Sequence, residues 1–289
     1  MNCCGETMNP TIIMDRVVNI AHRGARSLAP ENTLSAARKG LEVGADMWEL
    51  DVQLTADGEL MVIHDSTLKR TSDAEDVFPY RRPWQVHEFT LDEIRKLDFG
   101  SWFIKKDPFG QIAAGVVLEE DLESYVGEPA PTLEQALSFT KKHNWRVNLE
   151  IKDLSMTPGN NLIVDRVISL VEELNMVDAV LVSSFNHYYL SQIAASYPHV
   201  ATGVLDTKPH LRPAPLLRRL GARTYHPRRI FMPLADIAKL KRQGFGVNVR
   251  TINDRKTMKR LVRAGVSGIF TDFPQVLASV LTSHGKALA

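Results

Sequence analysis

The sequence predicts an α/β protein, a (β/α)₈ TIM barrel with a small insertion. Short apolar runs of strand length alternate with amphipathic stretches along almost all of the 289 residues. Eight of these runs are separated mostly by helical patterns, and eight parallel units in about 270 residues is the size of a closed barrel. Polar side chains concentrate where the runs end, which is where such barrels carry their active sites.

The first unit is a strand at 17–21, followed by a helix that begins after the N-cap residue Thr33 and ends at Gly44. The second strand spans 48–54. Six further strands are predicted at 146–151, 179–184, 200–205, 222–226, 246–251 and 268–271, and helical periodicity marks 133–142, 163–174, 234–243 and 257–264.

One additional strand, at 60–63, is a hairpin arm. It is joined to the second strand by Thr55-Ala56-Asp57-Gly58, and Asp-Gly is a strong signal for a tight hairpin turn. A parallel neighbour would need a crossover of a dozen or more residues. We therefore expect this strand to run antiparallel to the second strand.

Residues 70–131 interrupt the alternation and are rich in proline and aromatic residues, among them Trp84, Trp102 and Phe103. A segment this aromatic is typical of ordered structure rather than disorder. We expect it to form a small cap over one end of the barrel, as an insertion within a single barrel domain at 16–289.

Composition excludes several classes of protein. The 35 Lys and Arg residues balance 34 Asp and Glu residues, which argues against a nucleic-acid partner. No apolar run approaches the length needed for stable membrane insertion. Residues 1–15 are predicted to be a flexible leader without a secretory pattern. The adjacent Cys3 and Cys4 cannot form a disulfide framework, which favours a cytoplasmic location. The oligomeric state stays open.

Three acidic residues at strand ends predict a metal site. Glu49 and Asp51 are two residues apart on one strand, so their carboxylates share a face, and Glu150 has a similar place on a later strand. Carboxylates this close repel each other unless a cation neutralises them. Ligation by oxygen alone favours one divalent cation, magnesium (Mg²⁺) or calcium (Ca²⁺), with manganese (Mn²⁺) as a third candidate. Taken singly, each acid is also explained as a surface charge or helix cap.

Two histidines are expected beside these acids. His22 closes the first strand, and antiparallel pairing of the hairpin arm brings His64 across from segment 49–51. Either histidine alone is as easily structural. As a pair they suit general acid–base catalysis, because an imidazole with a pKa near 6.5 both gives and accepts protons.

Arg23 and Lys152 add positive charge to the same rim. Together with a cation they predict a site for an anion, with phosphate as the first candidate. An ordinary ion pair with a neighbouring acid is the alternative for each.

At these positions the sequence resembles the glycerophosphodiester phosphodiesterases. The similarity runs from about residue 17 to residue 281 and is strongest over 20–65. The motifs that carry it, in the family's order, are His22-Arg23-Gly24, Pro30-Glu31-Asn32-Thr33, Glu49-Leu50-Asp51-Val52, the turn at 55–58, His64-Asp65, Leu149-Glu150-Ile151-Lys152, Ser183-Ser184-Phe185 and Thr271-Asp272-Phe273-Pro274.

The resemblance implies a (β/α)₈ barrel with an insertion after the His-Asp segment. It also implies metal-dependent hydrolysis of a small-molecule glycerophosphodiester to glycerol 3-phosphate and an alcohol, for which our hypothesis is two-histidine catalysis through a cyclic phosphate. By resemblance the cation lies on Glu49, Asp51 and Glu150, the catalytic acid and base are His22 and His64, and Arg23 and Lys152 lie near the phosphate.

One residue departs from the family pattern. Arg250 stands where family members often have Trp, which would form an apolar wall for the alcohol portion of the substrate. We place Arg250 and Phe185 in the substrate pocket. Arg250 is expected to reach a phosphate or an anionic head group, or else to fold away into an ion pair.

Two rival functions are considered. A phospholipase-type phosphodiesterase acting on membrane lipid would need an exposed apolar rim, which Trp84, Trp102 and Phe103 would supply unless they form the insertion's own core. The other rival is a barrel that binds phosphodiesters without catalysis. The presence of both histidines and all three acids argues against that second reading.

Overall fold

Eight parallel strands close into a barrel in the computed structural model, which describes residues 16–288. Going around the ring the order is β1, β2, β4, β5, β6, β7, β8 and β9, and β9 pairs with β1 again. This confirms the predicted fold class. The strands are β1 (Val18–Ala21), β2 (Met47–Leu54), β3 (Leu60–Val62), β4 (Val147–Ile151), β5 (Val180–Ser184), β6 (Thr202–Leu205), β7 (Thr224–His226), β8 (Gly246–Val249) and β9 (Gly268–Thr271).

Strand β3 is the antiparallel arm that the sequence predicts. It pairs with the end of β2, with Val52 opposite Val62 and Leu54 opposite Leu60. Gly58 has a φ of +82°, which the left-handed position of this tight turn requires. The pairing places the residue after Ile63 beside segment 49–51 of β2.

Helices surround the barrel and connect its strands. They are α1 (Leu34–Glu42), α2 (Ala74–Val77), α3 (Leu91–Ile94), α4 (Ser101–Lys106), α5 (Glu119–Tyr125), α6 (Leu133–Lys142), α7 (Ile163–Glu173), α8 (His187–Ser196), α9 (Pro213–Arg219), α10 (Leu234–Arg242), α11 (Arg255–Arg263) and α12 (Pro274–Leu288). The Thr33 side chain accepts a hydrogen bond from the backbone N–H of Ala36, so it caps α1 as predicted. Among the described residues, no helix is both long and apolar enough to cross a membrane.

The segment at 70–131 is ordered and contains helices α2 to α5. Trp84 and Phe103 are buried, and Trp102 packs against the cluster that contains Phe103. That cluster extends to Leu28 in the loop after β1, whose carbonyl accepts a hydrogen bond from the Tyr125 hydroxyl. These three aromatics therefore form core rather than an exposed apolar rim. The predicted leader, with Cys3 and Cys4, lies outside the described residues.

Candidate active site

The carboxyl ends of the strands surround a cavity of about 650 Å³. Seven of the nine predicted site residues line it, and the other two, Asp51 and Lys152, contact members of that group. The structure therefore brings together residues that are far apart in the chain. The seven are His22, Arg23, Glu49, His64, Glu150, Phe185 and Arg250.

Glu49, Asp51 and Glu150 form a compact acidic cluster. Each offers a carboxylate oxygen, and these oxygens lie within 4.8 Å of one another in a buried position. Burial and the neighbouring carboxylates raise the pKa of Glu49 well above its usual value, and the pKa of Glu150 is raised for the same reasons. The set has the hard oxygen donors that Mg²⁺, Ca²⁺ and Mn²⁺ prefer. These residues therefore fit a divalent cation.

Two positive side chains partly compensate the acidic cluster. Lys152 Nζ lies 2.7 Å from Glu150 Oε1 and 3.3 Å from Asp51 Oδ1. Arg23 Nε lies 3.3 Å from Asp51 Oδ2, and the Arg23 backbone N–H donates to Glu49 Oε2 at 2.8 Å. Although burial opposes it, the Lys152 and Arg23 charges hold the pKa of Asp51 well below its usual range. The two basic residues therefore contact all three carboxylates of the cluster.

The turn after β1 sets the position of Arg23. Arg23 and Gly24 have φ values of +55° and +78°, both in the left-handed region. A Cβ atom at Gly24 would lie 2.5 Å from the backbone carbonyl carbon of Ala36. Glycine is therefore required here, and the turn directs the Arg23 backbone N–H at Glu49.

The next motif along the chain holds this turn against β2. Glu31 accepts hydrogen bonds from Arg23 at 2.8 Å and from Arg70 at 2.7 Å, and Arg26 lies 2.9 Å from it. Asn32 donates to Asp51 Oδ2 at 2.9 Å. Glu31 is buried, but the charges of its arginine partners hold its pKa below the usual range. Buried ion pairs of this kind fix side-chain geometry, because each partner is costly to leave unpaired.

Both predicted catalytic histidines are oriented by carboxylates. His22 Nδ1 lies 2.6 Å from Asp272 Oδ1, and His64 Nδ1 lies 2.5 Å from Asp65 Oδ1. With Nδ1 engaged in each ring, Nε2 is the nitrogen left for a reaction in the cavity that both histidines line. Burial and the Arg23 charge lower the pKa of His22 to about 4, against the opposing effect of Asp272. His22 is therefore neutral at physiological pH.

The model of the glycerophosphoryl diester phosphodiesterase family matches residues 22–276. The chain belongs to this family. A glycerophosphodiester phosphodiesterase of Caldanaerobacter subterraneus subsp. tengcongensis is 36% identical over 267 residues, which cover 92% of this chain and 98% of that protein.

Solved structures of the family have the same fold. An Oleispira antarctica phosphodiesterase in complex with the product sn-glycerol-3-phosphate has a TM-score of 0.75 and 26% identity, and the match covers 94% of this chain and 99% of that one. A glycerophosphodiester phosphodiesterase from Agrobacterium tumefaciens str. C58 has a TM-score of 0.72 and 26% identity over 92% of this chain and 100% of that one.

Sequence reasoning gave no role to four phosphodiesterase residues that support the site. Asp65 and Asp272 orient the histidines, and Glu31 and Asn32 hold the turn after β1 and Asp51. All four belong to motifs that carry the family resemblance. Asp65 follows His64 directly and Asp272 follows the last strand, which were the available signals, but the partners of all four become evident only in three dimensions.

One strand-end histidine does not join the two predicted catalytic histidines. His226 is fully buried, and its Nε2 lies 2.8 Å from Thr224 Oγ1 and 3.2 Å from Asn248 Nδ2. Burial lowers the pKa of His226 to about 3, so it stays neutral. It packs against Phe270 inside the barrel, where it is structural.

Arg250 does not fold away into an ion pair with any described carboxylate. Its Nε donates to the His226 carbonyl at 2.9 Å, and its Nη2 donates to the Asp206 carbonyl at 2.7 Å. The guanidinium lies over the Phe185 ring, 4.6 Å from the centroid. Arg250 and Phe185 thus form one wall of the phosphodiesterase cavity.

Proposed function

We propose that this chain hydrolyses glycerophosphodiesters to glycerol 3-phosphate and an alcohol, with a divalent cation and two histidines. One observation carries the proposal: two imidazoles, each oriented by its own carboxylate, line a cavity beside a cluster of three carboxylates. Family membership supports the same substrate class, as does the product named for the Oleispira antarctica structure.

The acidic cluster of Glu49, Asp51 and Glu150 would hold Mg²⁺, Ca²⁺ or Mn²⁺. When bound, the ion would stabilise negative charge on the phosphate and lower the pKa of a nearby hydroxyl. Lys152 and Arg23 contact carboxylates of this cluster, so both positive charges would lie near a phosphate bound by the ion. That position supports Arg23 and Lys152 as groups near the phosphate.

His22 is the base of the first step in this proposal. Its low pKa keeps Nε2 unprotonated, so Nε2 accepts the proton of the glycerol 2-hydroxyl while that oxygen attacks phosphorus. Asp272 stabilises the imidazolium that forms. His64 donates its proton to the departing alcohol oxygen, which leaves a cyclic phosphate. Water then opens the ring, with His64 as base and His22 as acid.

The test is release of glycerol 3-phosphate by chelated enzyme after addition of Mg²⁺, Mn²⁺ or Ca²⁺ separately. Diesters of choline, ethanolamine, glycerol and inositol define the head group. An analogue of whichever diester is turned over fastest, lacking only the glycerol 2-hydroxyl, is the decisive substrate, because it cannot form the cyclic phosphate. We expect metal-dependent turnover of at least one glycerophosphodiester and none of the analogue. Activity that persists after chelation would contradict the role of the metal. Hydrolysis of the analogue would contradict the cyclic intermediate.

A membrane lipid is the second candidate substrate, favoured by a different set of residues from those predicted. The segments that follow four neighbouring strands, β4 to β7, present strongly exposed apolar side chains. These are Met156, Tyr188, Leu211 and Ile230, which are 93%, 69%, 99% and 79% exposed. Sedimentation with liposomes, with and without diacyl substrate, tests this candidate. Protein that stays in the supernatant and does not cleave the lipid would support the water-soluble diester.

A further inference from the structure

Three arginines line the part of the cavity formed by the loops after β7 and β8. Arg228 and Arg229 lie in the loop after β7, and Arg250 follows β8. Among the described residues, no carboxylate oxygen lies within 4.0 Å of the nitrogens of these guanidinium groups. The nearby Asp206 carboxylate instead faces His187 and His210, at 3.4 Å and 3.7 Å. This wall therefore carries three positive charges that no described carboxylate contacts directly.

The arginine wall lies across the barrel from the acidic cluster. In the ring of eight strands, β7 is four places from β2 and β8 is four places from β4. Glu49 and Asp51 come from β2 and Glu150 from β4, so the two groups face each other across the mouth. Both groups line the same cavity, which has a volume of about 650 Å³. A phosphate held at the acidic cluster thus leaves room for another group at the arginines.

Arg250 is held in place before any ligand arrives. Two backbone carbonyls and the Phe185 ring fix its guanidinium, and these two hydrogen bonds use only part of its five N–H donors. Its position is half-buried, and both the like charge of Arg228 and the opposite charges of Glu150, Glu49 and Asp206 act on it. A fixed, partly desolvated arginine beside further positive charge is suited to binding an anion with several oxygens.

We infer that this wall is a second anion subsite, which takes a phosphomonoester carried by the alcohol part of the diester. The inference rests on the proposed function, because the reacting phosphate and the glycerol 2-hydroxyl must occupy the acidic end of the cavity. Glycerol itself is uncharged, so the second anion belongs to the leaving alcohol. The preferred substrate class is therefore a glycerophosphodiester of a phosphorylated alcohol, and a cationic choline head group is disfavoured.

The test compares two substrates that differ by one phosphate, glycerophosphoinositol and its inositol 4-phosphate counterpart, with metal-loaded enzyme. We expect kcat/KM to be about 10- to 100-fold higher for the phosphorylated substrate, and the ratio to shrink as salt is added. The triple variant Arg228→Gln, Arg229→Gln, Arg250→Gln should bring the ratio close to one. Arg219→Gln, at an exposed position on α9, is the matched control and should keep the ratio.

A ratio near one in the wild type, or an unchanged ratio in the triple variant, overturns the subsite while leaving hydrolysis intact. If neither substrate is turned over, the proposed function fails instead. In that case calorimetry with inositol 4-phosphate alone decides the subsite. Binding that weakens at least tenfold in the triple variant supports it, and equal or absent binding in both proteins overturns it.

Discussion

Replacing Asp272 by Asn tests how much the Asp272 carboxylate contributes to the action of His22 as a base. The Asp272 carboxylate lies 2.6 Å from His22 Nδ1, and Asn253 donates to its other oxygen at 2.6 Å. Asparagine keeps the shape but removes the negative charge, and it leaves one acceptor oxygen for the two donors of His22 and Asn253. The imidazolium that forms when His22 accepts a proton is then less stable.

The size of the effect follows from that one contact. A hydrogen bond to a charged group contributes about 1.5 to 3 kcal/mol, and each 1.36 kcal/mol changes a rate tenfold. We expect kcat to fall roughly 10- to 150-fold. Asp272 also supports a higher pKa at His22, and its loss should lower that pKa further from about 4.

The assay follows glycerol 3-phosphate release as a function of pH, and an NMR titration of the His22 ring in metal-free protein follows its pKa. Asp178→Asn, at an exposed position, is the matched control and should behave as wild type. A merely structural role for Asp272 would reduce stability without moving the His22 pKa. Wild-type kcat in Asp272→Asn, with an unmoved pKa, would refute the reasoning.

Three further predictions concern the fold and the cation. Gly24→Ala should lower the free energy of unfolding by about 1 to 3 kcal/mol in urea, because its Cβ meets the Ala36 backbone. In thermal unfolding, divalent metal at 100 times its Kd should stabilise the wild type by about 2.7 kcal/mol. The double variant Glu49→Gln, Asp51→Asn should not be stabilised. His226 stays neutral when folded, so acid favours unfolding. As the pH falls from 6 to 4, the free energy of unfolding of the wild type should decrease by about 1.4 kcal/mol per pH unit more than that of His226→Gln. Equal slopes in the two proteins would contradict this.

Much of the fold is predictable from the sequence because its signals are local. Each strand is a short apolar run, and the Asp57-Gly58 turn fixes the direction of β3. The strands predicted at 222–226 and 246–251 are shorter in the structure. Strand β7 begins two residues later, at Thr224, and β8 ends two residues earlier, at Val249. Helices α8, α9 and α12 were not located individually, and the helices of the insertion are too short for periodicity to show.

The sequence predicts those site residues whose positions follow from strand ends and from the alternation of side chains along a strand. Glu49 and Asp51 share a face because of their spacing, and pairing carries His64 to them. The role of Arg250 was left open between an anion contact and an ion pair, because that choice depends on neighbours from β6 and β7. The same limit applies to Asp272, whose partner His22 is 250 residues away in the chain.

The most direct measurement compares turnover of a glycerophosphodiester by the metal-loaded wild type, His22→Ala and His64→Ala. His199→Ala serves as the control, since that histidine is exposed and pairs with Glu172 at the surface. The two-histidine account predicts that the wild type and the control release glycerol 3-phosphate at similar rates. It predicts that His22→Ala and His64→Ala, still folded, each lose about 10²- to 10⁴-fold in kcat. Wild-type turnover in either variant would contradict the account.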